Sequence, residues 1–105
     1  MSSFPLRILT TEGPVLDAGV ESIVVTAYHG SMGVMAGHAP MISAVVIGPG
    51  KVIQDGVTQW YVFGEGTLEV RGPDVILLAD FAEKVDSHAA AKDAAAAAID
   101  SDDDT

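Results

Sequence analysis

From Leu6 to Ala79 apolar and polar positions alternate in short runs, and glycines or prolines break them at intervals of about eight to twelve residues. Leu6, Ile8 and Thr10 alternate with Arg7, Leu9 and Thr11, which predicts a first strand. Val20, Ile23, Val24 and Val25 form a second, β-branched run suited to a pleated surface. Asp55-Gly56 lies between Lys51–Gln54 and Val57–Val62, the pattern of a two-residue hairpin whose turn positions take positive φ. Gly72-Pro73-Asp74 separates Thr67–Val70 from Val75–Leu78. In the first of these, Leu68 and Val70 face one way and Thr67 and Glu69 the other. The second is apolar on both faces and is expected to lie where something covers it. No stretch in this region reads as a helix of ordinary length. The spacing predicts a mainly β fold, a sandwich or barrel rather than βαβ units.

The pattern changes at Asp80. Eight of the ten residues 89–98 are alanine, and Ser87 stands where a helix N-cap belongs. Alanine favours helix but buries little surface, so such a short helix must dock on the β domain to persist. Asp100 and the acids after it oppose the helix dipole. The expected organisation is therefore a β-sandwich over 1–84, an Ala-rich helix over 85–100, and a disordered acidic tail over 101–105.

Charge narrows the classes of partner. Five basic residues face fifteen acidic ones among 105, a formal net charge of -10. Eight of the acids fall after residue 79. This balance disfavours nucleic acid, where Lys and Arg must neutralise phosphates, and disfavours an anionic membrane surface. With no cysteine, disulfides, thiol catalysis and thiolate metal sites are excluded. No apolar run approaches the roughly 18 residues of a membrane helix, and the start carries no signal-peptide pattern. The expectation is a chain without direct membrane insertion, reaching a membrane only through a protein partner.

Candidate chemistry concentrates in Tyr28–Pro40, which holds three glycines, two histidines and a proline. Two tight turns with incidental histidines explain this segment. A metal reading would take His29 and His38 with Glu12 or Asp17, but the histidines lack the i,i+2 or i,i+4 spacing of paired ligands. Gly64-Glu65-Gly66 lacks the third glycine and following helix of a dinucleotide fingerprint. Ser43 follows His38 by five residues without a nucleophile elbow. No catalytic constellation is legible, and neither a cofactor nor a metal is expected. Core filling is the plain alternative for Met32, Met35 and Met41, and for Met35 it is the preferred reading. Gly33 and Gly37 read as positions that admit positive φ.

The order Leu6-Arg7-Ile8-Leu9-Thr10-Thr11-Glu12-Gly13, Val20-Glu21-Ser22-Ile23 and Gly30-Ser-Met-Gly-Val-Met-Ala-Gly-His-Ala-Pro-Met41 resembles the epsilon-subunit family of the F-type ATP synthase. Gly64–Val70 and Val75–Asp80 extend the resemblance in order to about Ala82. It implies a ten-stranded β-sandwich with a helical C-terminal part, and a non-catalytic role. Such a subunit sits at the foot of the central stalk and couples ion translocation to ATP synthesis. The implied partners are the gamma subunit and the c-ring, at the cytoplasmic face of the membrane, and the isolated subunit would be a monomer. Carried over by position, His29, Ser31 and Met32 would face the c-ring loops, and Thr10, His38 and Ser43 the gamma subunit. Gly30, Gly33, Gly37 and Pro40 would shape the loops. Ala36 stands where the family often has proline. The family's two-helix C-terminal hairpin exceeds the 22 residues that follow Glu83, so a single short helix is expected. The rival reading is a free-standing ligand-binding β-sandwich, with Tyr28, Trp60 and Tyr61 lining its pocket.

Overall fold

In the computed structural model, which describes residues 2–103, the alternation resolves into ten strands and one helix. The strands are β1 (Phe4–Thr10), β2 (Gly13–Val20), β3 (Ser22–Ala27), β4 (Gly30–Met35), β5 (Met41–Val45), β6 (Gly48–Gln54), β7 (Val57–Phe63), β8 (Gly66–Arg71), β9 (Asp74–Ala79) and β10 (Ala82–Val85). The helix α1 spans His88–Asp103. Two five-stranded sheets form, ordered β2-β1-β9-β8-β5 and β10-β7-β6-β3-β4. All neighbours are antiparallel except β1 and β9, which pair in parallel. The β-sandwich expected from the spacing of turns is thus the observed architecture.

The core lies between the sheets because each strand sends alternate residues inward. Phe4, Leu6 and Ile8 of β1 meet Val75 and Leu77 of β9 and Leu68 and Val70 of β8 in one sheet. Ile23, Val25, Val34, Val52, Tyr61 and Phe63 face them from the other. Tyr61 and Phe63 stack with centroids 5.1 Å apart, filling the middle with aromatic volume. No charged or polar residue is fully buried among the described residues.

The turns follow their chemistry. Asp55 and Gly56 adopt φ of 52° and 75°, the double positive φ of the hairpin predicted there. Glu21 holds this turn from outside: its carboxylate accepts from the Asp55 and Gly56 N–H groups at 3.1 and 2.8 Å. The same residue breaks the second predicted run. Val20 closes β2 opposite Phe4, whereas Ile23 and Val25 belong to β3 in the other sheet. The chain crosses between sheets at Glu21.

Ser87 caps α1 as expected, its hydroxyl accepting from the Ala90 N–H at 3.0 Å. The helix lies on β6, β7 and β10, burying Ala91 and Ala95. Val62, on the opposite face of β7 from Tyr61 and Phe63, is buried outside the main core, beneath this helix. The predicted helix end at residue 100 falls short: helical geometry continues to Asp103. Unfavourable charge near the C-terminal end costs only about 0.3–1 kcal/mol. That is too little to stop a run nucleated by alanine. The remainder of the expected tail, residues 104–105, lies outside the described residues.

Candidate interaction surface

The strand directions sort the connections onto two ends of the sandwich. One end carries Thr11-Glu12, Tyr28-His29, Val46-Ile47, Gly64-Glu65 and Asp80-Phe81. The opposite end carries Glu21, Ala36–Pro40, Asp55-Gly56 and Gly72-Pro73. His29 therefore lies at the first end and His38 at the second, separated by the length of β4. At about 3.3 Å per residue, six strand residues hold the two imidazoles far beyond the span of a shared ion. A His29–His38 metal site is excluded by that geometry.

The residues singled out from the sequence divide accordingly. His29 and Ser31 stand exposed at and beside the β3–β4 turn, where Gly30 takes φ of 121°. Met32 turns inward from the same strand and packs against the core while remaining half-buried. Thr10 ends β1 at this same end. Its hydroxyl donates to the Gly13 carbonyl at 3.1 Å and accepts from the Glu12 N–H at 3.2 Å, closing the β1–β2 turn. His38 occupies the β4–β5 connection at the other end. Its N–H donates to the Met35 carbonyl at 3.2 Å, and its Nδ1 lies 2.7 Å from the Ala39 carbonyl. The chain turns there through Gly37, at φ 83°, and an exposed Pro40 leads into β5. Ser43 lies on β5, half-buried.

Gly33 has no positive φ; it is a strand residue opposite Val24. Met35 is not core: with Val34 turned inward, parity sends Met35 outward, and it is 67% exposed. Met32 and Met41 do pack against the core.

The aromatic residues do not form a pocket. Tyr61 is buried in the core, and that burial pushes its phenol above the ordinary tyrosine range. Tyr28 projects from the β3–β4 turn at 86% exposure. Trp60 faces outward, its ring stacked on that of His88 at 4.8 Å. A ligand pocket lined by the three is therefore not what the fold builds.

The feature sequence reading missed is the outer face of the first sheet. Register places Ile42, Glu69, Ile76 and Arg7 in one cross-strand row, and Ala44, Thr67, Leu78 and Leu9 in the next. Nothing in the described chain covers these rows. Ile42 is 72% exposed and Leu78 45%. The two-faced apolar run Val75–Leu78 was expected to be covered; within the chain, only its Val75 and Leu77 side is. Thr10 adjoins this surface, sharing a depression with Leu9, Thr67 and Leu78. The only ion pair among the described residues joins Arg71 to Glu69, which stands within the first of these rows between Ile42 and Ile76. Exposed apolar side chains gathered on one sheet face, with Thr67 and Glu69 among them, are the kind of surface that marks a site of protein–protein contact.

Comparison with known proteins agrees with this architecture. Residues 3–85 match the family model of the ATP synthase delta/epsilon chain β-sandwich domain. The ATP synthase epsilon chain of Bacillus velezensis is 37% identical over 87 residues, covering 83% of this chain and 66% of that protein. That of Bacillus subtilis is 36% identical over 83 residues, covering 79% and 63%. The chain thus spans just under two thirds of the length of these relatives. Among solved structures, a chain of the Euglena gracilis mitochondrial ATP synthase superposes with a TM-score of 0.75 at 23% identity, covering 82% of this chain and 57% of that one. A chain of the Tetrahymena thermophila mitochondrial ATP synthase central stalk and c-ring gives 0.67 at 13% identity, over 92% and 88%. Both show the same fold.

Proposed function

Because this chain belongs to the ATP synthase delta/epsilon family, through the β-sandwich domain matched over residues 3–85, we propose that it is the epsilon subunit of a rotary ATP synthase. In this role it links the gamma subunit to the membrane c-ring and carries torque between ion translocation and ATP synthesis. It performs no bond chemistry itself. It is peripheral, held at the cytoplasmic face of the membrane by its neighbours; no helix among the described residues is long and apolar enough to cross a membrane.

The observation that carries this reading is the uncovered apolar face of the first sheet. Ile76, Leu78 and Leu9 form an apolar strip on rigid, paired strands, and the exposed Ile42 stands on the same face beyond Glu69 and Thr67; a monomeric protein rarely leaves so much apolar side chain uncovered on one face. We assign it to the gamma subunit. Thr10 borders it at one end, and His38 lies in the connection before β5; Ser43, opposite the buried Leu68, is on β5 but on the strand side turned away from this face, so its place in the gamma contact is along the β5 edge. The β3–β4 turn projects from the sandwich with His29, Ser31 and the upper side of Met32, and we assign this tip to the c-ring loops. A close-packed interior between two sheets suits the load, since such a core deforms little under force.

The test is co-expression with the gamma subunit of the same organism, followed by size exclusion. A stable one-to-one complex is expected for the native chain, and Ile42→Asp with Leu78→Asp should abolish it. Both side chains already face solvent, so the isolated variant should keep its thermal midpoint within a few degrees. Clean separation of the native chain from gamma at micromolar concentration would refute the assignment.

A further inference from the structure

The outer face of the second sheet carries a different surface. Val24, Lys51 and Trp60 stand side by side on β3, β6 and β7. The first residue of α1, His88, stacks on Trp60, and the Lys51 ammonium lies 5.5 Å from the centroid of the same ring. With Ser31, Pro49 and Gly50 they line an open cleft of about 280 Å³ between α1 and the edge strand β4. No carboxylate lines it, in a chain with three acidic residues for every basic one. Among the described residues Lys51 forms no ion pair, unlike Arg71. Lys51 is half-buried as a residue, and its ammonium is held over the Trp60 ring within the residues that line the cleft.

We infer that this cleft receives an acidic side chain, aspartate or glutamate, of the subunit that meets the Tyr28–Ser31 tip. Lys51 supplies the compensating charge, and the His88 ring and Ser31 hydroxyl supply hydrogen-bond donors at the rim. The inference rests on the central-stalk reading, because it requires a protein neighbour at that tip. The surroundings favour a carboxylate on a protein over a free anion. The site offers one fixed cation on an aromatic floor, and its mouth opens beside the exposed turn where a partner docks. The chain as a whole, at a net charge of -10, disfavours an acidic neighbour, so a cleft with a lysine and no carboxylate also helps to fix the partner's orientation.

The experiment uses ATP synthase purified without this subunit and measures rebinding of the full chain at two salt concentrations. Lys51→Gln should weaken binding about tenfold and flatten its salt dependence, and Lys51→Glu should weaken it further, whereas Lys51→Arg should restore both. Lys92→Gln, on the exposed side of α1, serves as the control and should bind like the native chain. Trp60 emission of each isolated variant verifies that the Trp60–His88 stack persists. Unchanged binding by Lys51→Gln and Lys51→Glu overturns the inference and leaves the central-stalk reading standing. Failure of the native chain to rebind overturns both. Saturable binding of inorganic phosphate to the isolated chain, lost in Lys51→Gln, would also overturn it by making the cleft a free-anion site.

Discussion

Tyr61 couples the core to alkaline pH. Its phenol sits in the core against Phe63, and burial disfavours the phenolate, so the folded pKa lies above the ordinary value of 10.0. The sign follows. Below pH 10 both states hold the proton and Tyr61 costs nothing. As pH rises past the unfolded value, the unfolded chain ionises first and stability falls. Tyr61→Phe should therefore melt like the native chain at neutral pH and outlast it above about pH 10, as thermal scans across pH will show. Equal alkaline loss in both would place the sensitive group elsewhere. Glu21 is a second residue with a defined duty. Glu21→Ala removes the acceptor for two turn N–H groups and should lower stability by about 1 kcal/mol in urea unfolding. An unchanged midpoint would mean that Asp55-Gly56 holds its turn unaided. The turn itself was legible in the sequence because two adjacent residues require a rare φ. Glu21 was not, since its partners lie 34 and 35 residues away. Met35 was misread for a related reason: composition suggests a buried methionine, but only strand parity decides which face it takes.

At the scale of elements, strand alternation announced the sandwich, and an alanine run behind Ser87 announced the helix. Where each element docks was less visible. Alanine has no long side chain to mark a buried face, so Ala91 and Ala95 look like their exposed neighbours in the sequence. What they cover, Val62, looks like one more core valine. The consequence is that α1 owns a small apolar contact separate from the main core, and local opening of the two should differ in free energy. Ala91→Glu would place an unpaired carboxylate in that contact. It should release α1, shift Trp60 emission to longer wavelength as His88 leaves the ring, and preserve the cooperative melt of the sandwich. Collapse of the whole fold in this variant would show instead that helix and sandwich form one cooperative unit.

For the whole molecule, the candidate site was legible in part. The Tyr28–Pro40 segment drew notice through its glycines and histidines, yet the fold sends its halves to opposite ends of a body 41 Å long. The apolar face escaped notice because Leu9, Ile42, Ile76 and Leu78 are scattered over seventy residues and converge only through sheet order. That order has a further consequence in the parallel pair of β1 and β9. The first strand made finds its central neighbour only when Val75–Ala79 has been added. At roughly 5–20 residues per second, β1 and β2 wait for seconds on the ribosome as a two-stranded ribbon, a form of marginal stability with an open edge. Nascent chains stalled before Val75 should remain protease-sensitive through Phe4–Val20, and those extended beyond Ala79 should become protected over the same residues in a single step. Synthesis of this subunit thus carries a late checkpoint: its first segment cannot settle until nearly the whole sandwich has been translated.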